Sequence, residues 1–173
     1  MTASQGFLSH TKRISTILNY YPNRLYTIMT RINVNIPVKK LTDEHLLAEH
    51  REIANLPYFL SVSLRSNKPL EIPEKFTLGA GHVKFFMNKM RFALDRYKAL
   101  HKECLNRGFN VRYKGYKWDS VPDEYMGRYF PKPEDREIII DRVQKRLEKS
   151  PKSFFHYCGK RISKEQVVEL LES

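Results

Sequence analysis

The chain has 173 residues, room for one domain of ordinary size with a real core. Its 31 Lys and Arg outnumber 19 Asp and Glu, and the net charge of +12 puts a polyanion, nucleic acid above all, first among expected partners. Two cysteines are too few for a disulfide scaffold, and no apolar run approaches the roughly 20 residues needed to span a bilayer.

Residues 1–28 follow no sustained helical or strand period. They carry Lys12, Arg13 and Arg24 and no acid, but lack the continuous apolar run of a signal peptide. We expect them to be a mis-assigned or removable extension, disordered, with the domain proper at 29–173. Met29 opens the first ordered-looking segment. Thr42 then reads as the N-cap of a helix through about Ile53, or one that bends and runs on past Pro57. At 100° per residue, Leu46, Leu47, His50, Ile53 and Ala54 share one face and His45, Glu49 and Glu52 the opposite one. Residues 66–76 (SNKPLEIPEKF) are a polar, proline-bearing loop.

The longest predicted helix runs from about His82 to Arg107. Val83, Phe86, Met87, Met90, Leu94, Tyr97, Leu100 and Cys104 form its apolar stripe. Lys84, Asn88, Arg91, Asp95, Lys98 and Lys102 form a solvated face, and Gly108 supplies a left-handed stop. A loop through Gly115, Trp118, Pro122 and Gly127 leads to Pro131 and Pro133. A third helix spans about Glu134 to Lys149, with Ile138, Ile139, Val143 and Leu147 inward and Arg142, Arg146 and Lys149 in one basic stripe. Ser163 and Gln166 make a capping box for a short last helix. No segment reads as a sheet. The fold class is all-α: a single compact domain of about three main helices with long loops, plus a short C-terminal helix.

Common signatures of chemistry are missing: no Walker loop, no His-Glu-x-x-His and no Gly-x-Ser-x-Gly. Gly79-Ala80-Gly81 either lets a phosphate approach a helix N-terminus or simply makes a tight loop-to-helix turn, and the second reading is favoured. Cys104 and Cys158 lack the paired spacing of a zinc site and read as reduced thiols of a cytoplasmic protein.

The informative blocks are MTRINVNIPVKKLTDEHLLAEHRE (29–52), FTLGAGHVKFF (76–86), ECLNRGFNV (103–111), PDEYMGRYFP (122–131), Arg142 with Arg146, and FFHYCGK (154–160). In this order they resemble the phage-type pyrimidine dimer DNA glycosylase, historically called endonuclease V and distinct from the inosine-specific enzyme of that name. The resemblance implies a DNA-repair N-glycosylase with abasic-site lyase activity. In that family the initiator methionine is removed and threonine becomes the N-terminus, a position that falls here on Thr30. An α-amine has a pKa near 7.7–8.0, so roughly a third of it is free base at pH 7.5, against about a thousandth of an ordinary lysine. Glu52 matches the family's catalytic carboxylate. Arg31, His45, Arg51, Arg142 and Arg146 match DNA-binding positions, and Phe154, Phe155 and Tyr157 match an aromatic patch that could touch bases or lesion. For each of these residues the structural alternative is a solvated surface group, an ion pair, a cap or core packing.

The chain departs from the family at Asn55, where the phage enzyme has arginine. It departs again at Glu44, where the family has glutamine, and at Phe154, where it has tryptophan. It also continues past Lys160 with a capped helix that the phage enzyme lacks. The resemblance further implies a cytoplasmic, nucleoid-associated monomer acting on double-stranded damaged DNA, with no membrane partner, no metal and no organic cofactor. The rival readings are a glycosylase of the same fold for another damaged base and a noncatalytic basic DNA-binding protein.

Overall fold

The computed structural model describes residues 31–66 and 68–173. Among them six α-helices carry the fold: α1 (Asp43–Ile53), α2 (Leu56–Arg65), α3 (Ala80–Phe86), α4 (Met90–Asn106), α5 (Pro133–Lys149) and α6 (Lys164–Glu172). The mainly helical class is as expected. The helix count is higher, because two long predicted runs are broken.

The first break lies between α1 and α2. Thr42 caps α1, its hydroxyl accepting the N–H of His45 at 3.2 Å. α1 ends at Ile53, and Pro57 falls in the first turn of α2, where a missing N–H costs nothing. The second break falls at 87–89, inside the run predicted from His82 to Arg107. There the loop at Gly127 crosses the chain so closely that a Cβ on Gly127 would lie 2.2 Å from the Asn88 carbonyl oxygen. The Gly127 carbonyl in turn accepts the otherwise orphaned N–H of Arg91, near the start of α4, at 3.2 Å. Apolar periodicity runs through this break unchanged, so the pattern alone could not reveal it. Gly108 does end α4 with φ +80°, and the Phe109 N–H returns to the Cys104 carbonyl at 2.9 Å.

A two-stranded antiparallel hairpin, β1 (Phe155–Tyr157) with β2 (Lys160–Ile162), corrects the expectation of no sheet. Its turn residues Cys158 and Gly159 both have positive φ, 49° and 76°, as a primed two-residue turn requires. The hairpin is docked on the N-terminus of α1. Asp43 accepts the N–H groups of Cys158 and Gly159, and Glu44 accepts the N–H and faces the ring Nδ1 of His156 at 3.0 Å. Burial works to raise the Asp43 carboxyl, but the bonds from Gly159, Arg107 and Cys158 outweigh it and hold the group below its ordinary range. Arg107 also donates to the Leu41 and Lys39 carbonyls and pairs with Glu103, fastening α1 to the end of α4.

One core runs through the domain, with Leu46, Ile53, Leu60, Phe86, Met90, Tyr97, Leu100, Ile139 and Val167 among its buried members. The Ser163–Gln166 capping box starts α6, which buries Val167 and Leu171 and packs on α5. Arg136 of α5 binds the Leu171 and Glu172 carbonyls at the free end of α6. Among the described residues no helix is long and apolar enough to cross a membrane.

Candidate active site

Residues 31–33 lie across α1 and pair with no strand among the described residues, yet all three of their N–H groups are held by side chains. The Arg31 N–H donates to Glu52 Oε2 at 2.8 Å and the Asn33 N–H to Glu49 Oε1 at 3.2 Å. Between them the Ile32 N–H donates to His82 Nε2 at 3.1 Å. Alternate amides thus go to α1 and the middle one to α3, the alternation a strand would show. Glu49 and Glu52 are three apart on α1, so one helix face presents both carboxylates to this segment.

The two carboxylates differ in what remains open to them. Glu49 is completely buried. Its Oε1 also accepts Arg96 Nε at 2.8 Å, and its Oε2 accepts Asn33 Nδ2 at 2.6 Å and Arg96 Nη2 at 3.1 Å. Arg96 spends its remaining reach on the Ile36 carbonyl at 2.6 Å. Every lone pair of Glu49 is occupied, so it locks the segment in place and is poorly suited to moving protons. Glu52 is half-buried, and among the described residues only the Arg31 N–H donates a hydrogen bond to it, with Arg31 Nε 3.8 Å away.

Cations converge on this spot. Arg142 of α5 donates Nη2 to Asn33 Oδ1 at 2.6 Å, while its buried Nε has no partner among the described residues. Burial, and then neighbouring Arg146, push the Arg142 guanidinium down to about 10; it is still charged at neutral pH. Burial, followed by the nearby charge of Arg31, also lowers Arg146. The predicted surface stripe of 142, 146 and 149 therefore divides: Arg146 and Lys149 are exposed, and Arg142 is turned inward against the 31–33 segment.

The other expected residues fall as follows. Arg51 is exposed and bonds the Leu47 carbonyl within its own helix at 3.2 Å. His45 lies beside Phe155, ring centroids 6.1 Å apart, and burial with the Arg31 and Arg142 cations brings its imidazole down to about 4. A neutral imidazole can hydrogen-bond DNA but brings no positive charge. Phe155 is buried, Tyr157 donates its hydroxyl to the Lys39 carbonyl at 3.0 Å, and Phe154 is exposed with the Arg161 guanidinium over its ring. Glu44 is turned to His156 and the hairpin. Thr30 lies outside the described residues. Gly79 has φ +70°, and a Cβ on Gly81 would meet Thr77 Cγ2 at 2.6 Å, so these glycines close a tight loop over the start of α3.

Asn33, His82 and Arg96 join the site without having been singled out by sequence reasoning. His82 and Asn33 stand inside recognised blocks. Arg96 borders an apolar helix stripe and gives no signal beyond that.

Three histidines are held neutral by burial: His45, His50 and His82 each come down to about 4. His50 sits against His101, Nε2 to Nδ1 3.2 Å, and stacks on Tyr97. Unfolded, each would titrate near about 6.5. Between pH 6.5 and 4 the unfolded chain therefore binds more protons than the folded one, so stability falls as pH falls through this window. We expect the urea midpoint to hold above pH 7 and drop steadily by pH 4.5, a loss on the order of a few kcal/mol. A midpoint unchanged from pH 7 to 5 would contradict the neutral burial of these rings.

Residues 29–116, 88 of the chain's 173, match the family described as pyrimidine dimer DNA glycosylase. The matched stretch includes Thr30, Arg31, His45, Arg51, Glu52 and His82; Arg142, Arg146 and the aromatic hairpin lie beyond it.

Proposed function

The chain belongs to the pyrimidine dimer DNA glycosylase family, and from that premise we propose that it excises pyrimidine dimers from duplex DNA and then breaks the strand, with the α-amine of Thr30 as nucleophile. The observation that carries this reading is the 2.8 Å bond from the Arg31 N–H to Glu52. Arg31 directly follows Thr30 in the chain, so this bond supports a role for the Glu52 carboxylate next to the amine. The reading requires Thr30 to be the first residue of the working protein, so residues 1–29 are absent from it or removed.

The free amine attacks sugar C1′ as the bond from C1′ to the damaged base breaks, and the base leaves with the electron pair of that bond. Loss of a proton from nitrogen and opening of the sugar ring give an imine at C1′. Glu52 stabilises positive charge developing on the sugar and accepts a proton. The imine acidifies C2′. Removal of a C2′ proton then forms a C2′–C3′ double bond and expels the 3′ phosphate. Water finally releases the amine. Amine and carboxylate suffice, so the scheme calls on no metal or organic cofactor.

Arg31, Arg51, Arg142 and Arg146 bind the phosphates, and the Arg142 Nε, which has no partner among the described residues, is a donor suited to an anion. A base leaves the stack to make room for the catalytic groups. His45 and the hairpin residues Phe154, Phe155 and Tyr157 edge that space, and the protein acts as a monomer.

The test is a duplex holding a single thymine dimer. Protein beginning at Met29 should cut only the damaged strand, leaving an unsaturated aldehyde at the 3′ end and a phosphate at the 5′ end. Cutting of abasic but not dimer-containing duplex would move the substrate to another damaged base. Binding without either cut would make the protein a noncatalytic DNA binder.

A further inference from the structure

We propose that His82 is a positioning residue for the nucleophile: its Nε2 lone pair grips the Ile32 N–H and so sets where the Thr30 amine is presented. The inference rests on the reading of Thr30 given above. The imidazole has two polar neighbours. Nδ1 lies 3.1 Å from the Thr77 carbonyl oxygen, which can only accept. The ring proton therefore sits on Nδ1, and Nε2 keeps the lone pair that receives the Ile32 N–H at 3.1 Å. The ring is buried between Phe76 and Phe86, with edge-to-face centroid distances of 5.4 and 5.2 Å, and has no room to swing away. Gly81 allows the Thr77 carbonyl to come this close, since any Cβ there would strike the Thr77 side chain.

Covalent geometry carries the grip to the amine. The Arg31 nitrogen belongs to the peptide plane that ends Thr30, and the Ile32 nitrogen belongs to the next plane. Glu52 holds the first from α1 and His82 the second from α3. With two consecutive planes fixed, few torsions separate anchored backbone from the Thr30 amine. A nucleophile misplaced by about 1 Å loses on the order of 100-fold in rate. No other side chain among the described residues accepts the Ile32 N–H.

Asparagine places a polar atom where histidine has Nδ1, and glutamine where it has Nε2. His82→Gln should keep the Ile32 grip and lose the Thr77 bond. His82→Asn should do the reverse, and His82→Phe should keep only the ring packing. The experiment uses protein beginning at Met29 and reads single-turnover cleavage of a dimer-containing duplex, damaged-DNA affinity, thermal midpoint and Ile32 amide exchange. We expect Gln within about fivefold of wild type, and Asn and Phe slowed about 100-fold. Affinity should stay within about threefold in all three, and Ile32 exchange should quicken only in Asn and Phe. If His82 merely ties down the Thr77 loop, Asn outperforms Gln and rates follow thermal midpoints; that result overturns the proposal, as does cleavage within threefold of wild type in all three variants. An inactive wild-type protein would instead overturn the Thr30 reading, and this inference with it.

Discussion

Glu52→Gln should abolish strand cleavage on dimer-containing duplex while leaving damaged-DNA binding intact. The amide oxygen of glutamine can still accept the Arg31 N–H now bound at 2.8 Å, so the 31–33 segment keeps its anchors. What disappears, in the proposed mechanism, is the negative charge beside the reacting sugar and the group able to take a proton. General acid–base terms alone are worth about 10²–10⁴-fold, and electrostatic stabilisation of the developing cation adds to that. Binding should hold or tighten, because the substitution removes one acid close to the Arg31 and Arg146 cations proposed to bind phosphate. Single-turnover cleavage with saturating enzyme, beside a binding titration, separates the two effects. Cleavage within about threefold of wild type would remove Glu52 from the chemistry.

Glu49 shows why two carboxylates on one helix face cannot be given roles by spacing alone. The 3.6-residue period places both Glu49 and Glu52 opposite the apolar face of α1, and a reading of the sequence stops there. Their difference comes from tertiary partners 16 to 47 residues away: Asn33 and Arg96 saturate Glu49, whereas among the described residues Glu52 accepts a hydrogen bond only from the Arg31 N–H. A charge buried as deeply as Glu49 is tolerated because the largely covered Arg96 pairs with it, and removing either would leave the other unpaired at a cost of about 3–5 kcal/mol.

Much of the fold is legible in the sequence because it depends on local rules. Thr42, Gly108 and the Ser163–Gln166 box mark helix ends through groups within a few residues of the backbone they satisfy. The break at 87–89 is hidden because Gly127, nearly 40 residues on, supplies the carbonyl that lets a new helix start. The hairpin is hidden for a related reason: three-residue strands are too short to show alternation, and they are held by Asp43 and Glu44 across 112 to 116 residues. The same contact explains Glu44. An acid where the family has glutamine looks out of place in the sequence, but here it is turned onto the hairpin. Bonds from His156 outweigh the effect of burial and keep its carboxyl below the ordinary range. His82 escapes a sequence reading since a lone histidine before an apolar helix face is an ordinary core residue until its two partners are known.

The central claim is that the Thr30 amine forms the covalent link to DNA, and trapping that link tests it most directly. Two proteins are compared, one beginning at Met29 and one at Met1. Removal of Met29 from the first frees the Thr30 nitrogen, whereas in the second, if unprocessed, that nitrogen is an amide and is not nucleophilic. Each is incubated with dimer-containing duplex and borohydride, which reduces an imine to a stable amine and cross-links protein to DNA. The account predicts that the shorter protein cross-links, that peptide mapping places the bond on the Thr30 nitrogen, and that the longer protein binds DNA without cross-linking. Equal trapping of both proteins through a lysine would contradict it.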